Sequence, residues 1–260
     1  MLPQTFFPQF APRLTRIGRN NDGGYVVSST SVRNTKMIIG LGLADDWSFE
    51  KELLRETGAE VICVDHTVTG EFWRRKAILA LIKMLAFQQG PFAVVKQIRT
   101  WRAYHQFFDG HRIVHERKKV GGVGVGGTNL TSLLEGCPEK GVFLKVDIEG
   151  WEYRILEEIL DSEGRFSGIV IEFHDVDLHR ERIEEFIQKL SLPLVHIHGN
   201  NAASLDKHGD PIVIEMTFGH QTDRQINKSR RMHYPVSGLD QPNDIRHEEI
   251  KLNFEAITHS

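Results

Sequence analysis

Two carboxylates and a glycine follow an apolar stretch near the middle of the chain. In K-V-D-I-E-G-W-E, residues 145–152, these are Asp147, Glu149 and Gly150, and the stretch before them alternates as a short buried strand does. From Trp151 onward, apolar residues recur at helical spacing. The acids therefore lie where a strand gives way to a helix, which is where open α/β sheets bind ligands. The alternative is a helix N-terminus that favours acids, but Asp147 still lies within the strand pattern.

Two histidines lie at the ends of later predicted strands. Residues 168–174 end in His174, and His198 precedes a polar loop. Because strand ends of an α/β sheet meet above one cleft, Asp147, His174 and His198 are predicted to converge there. Such a catalytic group could take a proton from a hydroxyl, or it could hold a divalent metal ion with Asn200 as a further ligand. The residues leave both alternatives open.

The same side-chain alternation buries two charged groups, and buried charges require partners. Lys145 shares a strand face with Asp147, and Glu172 shares one with His174. We predict that Lys145 pairs with Glu172 or with Glu215 of the last strand.

A second set of candidates lies at the ends of the first two core strands. Residues 36–43, K-M-I-I-G-L-G-L, end in a glycine turn that lets the backbone approach a ligand. Residues 60–65 end in an acid 23 positions after Gly42, a distance at which an acid typically binds ribose hydroxyls. The predicted cofactor-binding residues are Gly40, Leu41, Gly42, Asp65 and His66. The other interpretation of Asp65 is a cap for the following helix.

The residues after the glycine turn disfavour a cofactor that carries phosphate. The third glycine of the dinucleotide fingerprint is absent, and Ala44, Asp45 and Asp46 stand there instead. Acids at this position would repel a pyrophosphate, whereas a sulfonium cofactor is positively charged and has no phosphate.

The stretch K-V-D-I-E-G-W-E resembles the K-(I/V)-D-(V/I)-E-G-x-E signature of FkbM-type S-adenosylmethionine-dependent methyltransferases. Three further stretches agree with that family: I-G-L-G-L-A-D-D-W-S-F-E, E-V-I-C-V-D-H and H-I-H-G-N-N. The resemblance spans Asn21 to Phe218. It implies the α/β fold of class I methyltransferases, a Rossmann-like sheet with helices on both faces and its last strand antiparallel. It also implies S-adenosylmethionine as the cofactor and O-methylation of a hydroxyl on a sugar, glycolipid or natural product.

The stretch N-N-D-G-G-Y-V-V, residues 20–27, has the turn residues of a β-hairpin. In the resembled family a D-G-G-Y stretch precedes the cofactor domain, so closure over the site is a second interpretation.

A basic segment follows the second strand. Residues 66–119 hold 11 lysines and arginines against three acids, a balance of +8 that leaves −11 for the remaining chain. It contains two helical stretches, F-W-R-R-K-A-I-L-A-L-I-K-M-L-A-F and P-F-A-V-V-K-Q-I-R-T-W-R-A-Y-H-Q-F-F. The favoured interpretations are helices that pack on the sheet with solvated basic faces, or a cap that selects anionic acceptors. A surface for anionic lipid and a face for nucleic acid are the alternatives, and nucleic acid is the less expected partner.

Composition bounds the class of protein. The net charge is −3, and the two cysteines, Cys63 and Cys137, favour a reducing compartment over a disulfide scaffold. The N-terminus lacks the features of a signal peptide, and no apolar run approaches the roughly 20 residues that span a bilayer. We therefore expect a soluble, cytoplasmic protein.

The patterns divide the chain into three parts. We expect an N-terminal arm and hairpin at 1–35, a methyltransferase domain at 36–220 with its helical basic insertion at 66–110, and a C-terminal tail at 221–260. The expected partner is a small-molecule or glycan acceptor with anionic groups, and the oligomeric state is left open. The alternative function is a non-catalytic Rossmann-like module that binds nucleic acid or anionic lipid through the insertion.

Overall fold

The computed structural model describes residues 1–8, 13–88, 90–122, 126–220 and 233–256 of the chain. Its strands are β1 (Leu14–Ile17), β2 (Tyr25–Ser28), β3 (Met37–Leu41), β4 (Glu60–Val64), β5 (Ile113–Glu116), β6 (Lys119–Val120), β7 (Gly127–Thr128), β8 (Val142–Val146), β9 (Phe166–Phe173), β10 (Leu194–Gly199) and β11 (Ile214–Gly219). Its α-helices are α1 (Ser29–Arg33), α2 (Ser48–Thr57), α3 (Gly70–Leu85), α4 (Pro91–Phe108), α5 (Leu130–Leu134), α6 (Leu156–Asp161) and α7 (Val176–Lys189). Short 3₁₀ helices span Gln4–Phe6, Glu152–Arg154 and Glu163–Arg165.

The central sheet has seven strands in the order β5-β4-β3-β8-β9-β11-β10. From β5 to β9 the neighbouring strands are parallel, and β11 runs antiparallel to both of its neighbours. The chain therefore starts in the middle of the sheet, builds outward to one edge, returns to the middle and builds to the other. This confirms the predicted α/β class and the Rossmann-like sheet with its last strand antiparallel.

Helices cover both faces of the sheet, as predicted. Alternate residues of each strand point to opposite faces, so Leu144 of β8 joins one apolar cluster and Phe143 joins the other. The first cluster receives apolar side chains from α5, α6 and α7, and the second receives them from α2, α3 and α4. Each face of the sheet thus has its own core.

The predicted hairpin and the predicted helical insertion are both present. Strands β1 and β2 pair antiparallel, and the hydroxyl of Thr217 in β11 donates to the carbonyl of Val26, which fixes the hairpin on the sheet. Helices α3 and α4 fill the segment between β4 and β5 and pack against each other. The parallel strands β6 and β7 lie on either side of residues 121–126, of which 123–125 lie outside the described ranges.

Helix α2 begins at Ser48, and the carboxylate of Asp46 accepts a hydrogen bond from the Ser48 amide at 2.9 Å. Two local predictions are wrong. The helix expected from Trp151 is interrupted, because a 3₁₀ turn comes before α6. Strand β9 ends at Phe173, one residue before His174.

Part of the predicted tail belongs to the core. Tyr234 and Leu252 are buried in the first apolar cluster, and Leu2 forms a bridge with Phe254. Residues 221–232 and 257–260 of that tail lie outside the described ranges. Over the part of the chain that is described, no helix combines the length and the apolar character needed to cross a membrane.

Candidate functional site

A cavity of about 360 Å³ opens at the carboxyl ends of β3, β4 and β8. Parallel strands of an α/β sheet bind ligands at this edge. The cavity is lined by Gly42, Ala44, Val64, Asp65, His66, Thr67, Lys118, Lys119, Val120, Asp147, Ile148, Glu149 and Trp151. Three of the five predicted cofactor residues, Gly42, Asp65 and His66, are therefore at the cavity, and Asp147 joins them from β8.

The other two predicted cofactor residues, Gly40 and Leu41, do not line this cavity. Leu41 is fully buried in the first apolar cluster. A Cβ atom on Gly40 would lie 2.5 Å from Oε1 of Glu50, a buried residue of α2. Gly40 thus makes room for a carboxylate of the protein, whereas Gly42, at φ +80°, is the glycine that forms the turn at the cavity.

The carboxylate of Asp65 holds the glycine turn in place. Its Oδ2 accepts hydrogen bonds from the amides of Leu43 at 2.9 Å and Ala44 at 3.1 Å. Its Oδ1 accepts from the amide and the hydroxyl of Thr67, both at 2.6 Å. Burial alone would raise the pKa of Asp65, but these bonds lower it below its usual value. Asp65 does not cap α3, because Thr69 does.

Lys145 lies beneath the cavity and is almost completely buried. Its ammonium donates to the carbonyl of Gly42 at 2.7 Å and to Oδ2 of Asp147 at 3.3 Å. The predicted pairing with Glu172 or Glu215 is therefore wrong, because Asp147 two residues along the same strand face is closer. Lys145 joins the glycine turn to the carboxylate at the end of β8.

Tyr25 and Glu172 are buried beside Asp147, and neither was among the predicted catalytic or cofactor-binding residues. The hydroxyl of Tyr25 lies 3.3 Å from Oε2 of Glu172 and 3.5 Å from Oδ2 of Asp147. Burial and the charge of Asp147 raise the pKa of Glu172 well above its usual value. The signal in the sequence was the D-G-G-Y stretch, so the hairpin both forms and reaches the site.

Glu152 shapes the turn that carries Asp147 and Glu149. Its side chain is fully buried, and Oε1 accepts from the amides of Ile148 at 3.0 Å and Gly150 at 3.2 Å. Glu149 and Gly150 both have positive φ, which gives this turn its sharp reversal. The final glutamate of K-V-D-I-E-G-W-E thus has a structural role.

His174 joins Asp147 at this edge. Its Nδ1 lies 3.1 Å from Oε1 of Glu152, and its Nε2 lies 3.5 Å from Oε2 of Glu149 and 4.0 Å from Oε1 of Glu172. Burial opposes protonation of the ring, but the hydrogen bond to Glu152 and the surrounding carboxylates raise the pKa of His174 to about 9. At neutral pH the imidazole is therefore protonated.

His198 is not brought to Asp147 and His174. Its Nδ1 lies 3.3 Å from Oε2 of Glu215 and its Nε2 lies 3.1 Å from Oε2 of Glu249, so both ring nitrogens already have partners. Burial opposes protonation, but these two carboxylates raise the pKa of His198 to about 10. His198 therefore acts as a buried cation that joins the C-terminal segment to the sheet.

The residues that could hold a metal ion also differ from those predicted. Among the described residues, the ligand atoms of Asp147, Glu149 and His174 lie within 4.8 Å of one another, so Glu149 takes the place expected for His198. Asn200, the expected further ligand, donates to Oε1 of Glu172 at 2.9 Å. Because Asp147 already faces the ammonium of Lys145 and Glu149 is exposed, the group is described more simply as an acid–base cluster.

A larger cleft of about 660 Å³ lies between α6 and α7. Its lining comes from helix side chains, including Leu160, Arg182 and Lys189, and none of the predicted site residues is there. The candidate site is therefore the smaller cavity at the strand ends.

Comparisons with solved structures return methyltransferases. The chain is similar to the precorrin-6y C5,15-methyltransferase of Geobacter metallireducens, at 13% identity over 72% of this chain and 84% of the other, with a TM-score of 0.36. It is also similar to an rRNA methylase of Streptococcus thermophilus, at 10% identity over 72% of this chain and 89% of the other, again with a TM-score of 0.36. No protein-family model and no curated protein matches the chain. These TM-scores are too low to support a conclusion about this chain, so the fold is defined by the strand order alone.

Proposed function

We propose that this chain is an S-adenosylmethionine-dependent methyltransferase of the FkbM type that methylates a hydroxyl group. One observation carries the proposal: the seven-stranded sheet with β11 antiparallel places a cavity with three carboxylates at the ends of β3, β4 and β8. The K-V-D-I-E-G-W-E stretch supports it, because that stretch forms the turn at this cavity.

The residues at the cavity suit a sulfonium cofactor. Asp65, Asp147 and Glu149 offer negative charge to the positive sulfur and amino group of such a ligand, and Lys118 and Lys119, which line the same cavity, offer positive charge to its carboxylate. The glycine turn and His66 would hold the nucleoside, and the carboxylates would face the amino acid part. When bound, S-adenosylmethionine supplies an activated methyl group.

Asp147 and His174 would act on the acceptor. A hydroxyl is a weak nucleophile until its proton is removed, and a general base within hydrogen-bond reach removes it. Asp147, with the hydroxyl of Tyr25 3.5 Å from its Oδ2, would orient the acceptor hydroxyl, and His174 would take the proton once its own proton has left. The sugar, glycolipid or natural-product class of the acceptor rests on the resemblance alone.

A methyl-transfer assay tests the proposal. The protein is incubated with S-adenosylmethionine labelled in its methyl group and with a panel of free sugars, glycolipids and phenolic natural products. Transfer of label to an acceptor hydroxyl is expected, and it should persist in the presence of a chelator. Loss of transfer with a chelator and its return with a divalent ion would replace the acid–base cluster by a metal site. Cofactor binding without transfer to any hydroxyl would contradict O-methylation.

Replacing Asp65 by asparagine should weaken S-adenosylmethionine binding by about 1–3 kcal/mol, the usual cost of leaving buried partners without a hydrogen bond. Asparagine has one acceptor oxygen where aspartate has two, so its NH2 group would face either the amides of Leu43 and Ala44 or the donors of Thr67, and the turn should loosen. Titration calorimetry measures the affinity, and Asp109→Asn, on an exposed carboxylate, is the matched control. An unchanged affinity in a folded Asp65→Asn protein would remove Asp65 from the cofactor site.

A further inference from the structure

The helical insertion carries an exposed apolar surface on its outer side. Helix α3 buries Trp73, Ala77 and Ala80, which are three or four residues apart and form one stripe. A second stripe, Ile78 and Ile82 with Leu85 and Leu81, points away from the first and is exposed. A helix that is apolar on both sides but covered on only one has a face without a partner.

The far end of the insertion is the most exposed part of this surface. Phe87, in the connection between α3 and α4, is 97% exposed, and Phe92, the second residue of α4, is 78% exposed. Leu85 and Val95 continue the apolar surface into the two helices. Large apolar side chains concentrated in this way mark an interaction site rather than ordinary surface.

Basic side chains lie behind this apolar end. In α4, Phe92, Val95, Arg99 and Arg102 share one helix face, so the arginines follow the apolar residues by about 10 Å at 1.5 Å per residue. In α3, Lys83 stands near the apolar end. An apolar tip followed by cations matches a bilayer, whose acyl region lies just beneath its phosphates.

The cations of the insertion are largely unpaired. Helices α3 and α4 hold seven lysines and arginines and one acid, Glu71, which pairs with Arg74 and Arg75. The other five form no ion pair with an acid anywhere in the described ranges: Lys76, Lys83, Lys96, Arg99 and Arg102. Since the chain outside 66–119 has a charge of −11, an anionic surface would attract the insertion and repel the rest.

We propose that the insertion is a membrane-docking element that inserts Phe87 and Phe92 into an anionic bilayer and places its basic side chains at the lipid phosphates. The cavity is close to its base, because Thr67 lines the cavity and Thr69 caps α3. Docking through the far end would therefore hold the cavity within about one helix length of the bilayer, ~24 Å for the 16 residues of α3 at 1.5 Å per residue. This goes beyond methyl transfer and does not depend on it.

Vesicle flotation of the full chain tests the proposal. Wild-type protein should float with vesicles of phosphatidylcholine and phosphatidylglycerol, should not float with phosphatidylcholine alone, and should bind less as ionic strength rises to ~0.15 M. The variant Phe87→Ser with Phe92→Ser should lose at least tenfold in partition, and so should Arg99→Glu with Arg102→Glu. The apolar control is Leu178→Ser with Ile245→Ser, on side chains that are 73% and 75% exposed elsewhere, and the charge control is Lys51→Glu with Lys207→Glu. Both should bind as wild type does.

Several results would overturn the proposal. Absence of wild-type binding to anionic vesicles would do so directly. If the variant Phe87→Ser with Phe92→Ser binds as wild type does, the protein binds by surface charge and does not insert these side chains. A dimer in sedimentation velocity that this variant dissociates, with no vesicle binding, would assign the face to a second copy of the chain. Binding to RNA but not to vesicles would assign it to nucleic acid. Calorimetry with S-adenosylmethionine on the same variants measures cofactor binding separately. Loss of vesicle binding and loss of cofactor binding can therefore be told apart.

Discussion

Replacing Lys145 by methionine should lower the free energy of unfolding by about 3–5 kcal/mol, the usual cost of leaving a buried charge without its partner. The Lys145 ammonium lies among the carboxylates of Asp147, Glu50 and Glu172, which together raise the pKa of Lys145 against the opposing effect of burial. Of these carboxylates, Glu50 depends most on the charge of Lys145, because it is 1% exposed and neither of its oxygens has a hydrogen-bond partner within the described residues. Denaturant unfolding measures the loss.

A double variant separates lost charge balance from lost packing. Adding Glu50→Met to Lys145→Met removes the buried acid together with the buried cation whose charge acts on it, and replacing opposite buried charges together by apolar side chains is often close to neutral. The double variant should therefore regain most of the stability that the single variant loses. Lys51→Met, on an exposed lysine of the same helix as Glu50, is the control and should change little. A single variant as stable as wild type, or a double variant that is less stable than the single, would contradict this role.

Replacing His174 by glutamine should lower kcat by about 100- to 10,000-fold, the usual contribution of a general base. The ring must first lose its proton, and the pKa of His174 is raised to about 9. Because the basic form grows as pH rises towards that value, wild-type kcat should increase with pH up to about 9 and then level off. That rise should be absent in His174→Gln, while S-adenosylmethionine affinity stays near the wild-type value.

The control for this variant is His208→Gln, on an exposed histidine away from the cavity. It should keep both the rate and the pH profile of the wild type. If His174→Gln keeps the wild-type profile as well, the proton is not taken by His174, and methyl transfer rests on proximity and orientation.

The sheet could be predicted from the sequence because its signals are local. Apolar alternation placed β3, β4 and β8 within a residue or two, and the acids at their ends follow directly from those placements. The turn after β8 was recognised as a site for the same reason. Its geometry was not, because the role of Glu152 depends on hydrogen bonds to amides that only the folded turn presents.

The errors in the site have a common physical cause. Gly40 was interpreted as a ligand contact, but the group that needs its space is Glu50, a buried acid whose position depends on how α2 packs. His198 was placed at the cleft, but its partner Glu249 lies 51 residues further along the chain, and no periodicity relates the two. Buried charge pairs between distant segments leave no pattern in a sequence, so strand-end position alone could not separate His174 from His198.

Titration calorimetry with S-adenosylmethionine and with its demethylated product S-adenosylhomocysteine tests the central claim most directly. A cavity built for a nucleoside with a charged amino acid part should bind both ligands saturably at one site. Asp65→Asn should weaken both, because the two ligands share the nucleoside. The contradicting result is a folded wild-type protein that releases no heat of binding with either ligand up to ~1 mM, the upper end of the usual range of KM values.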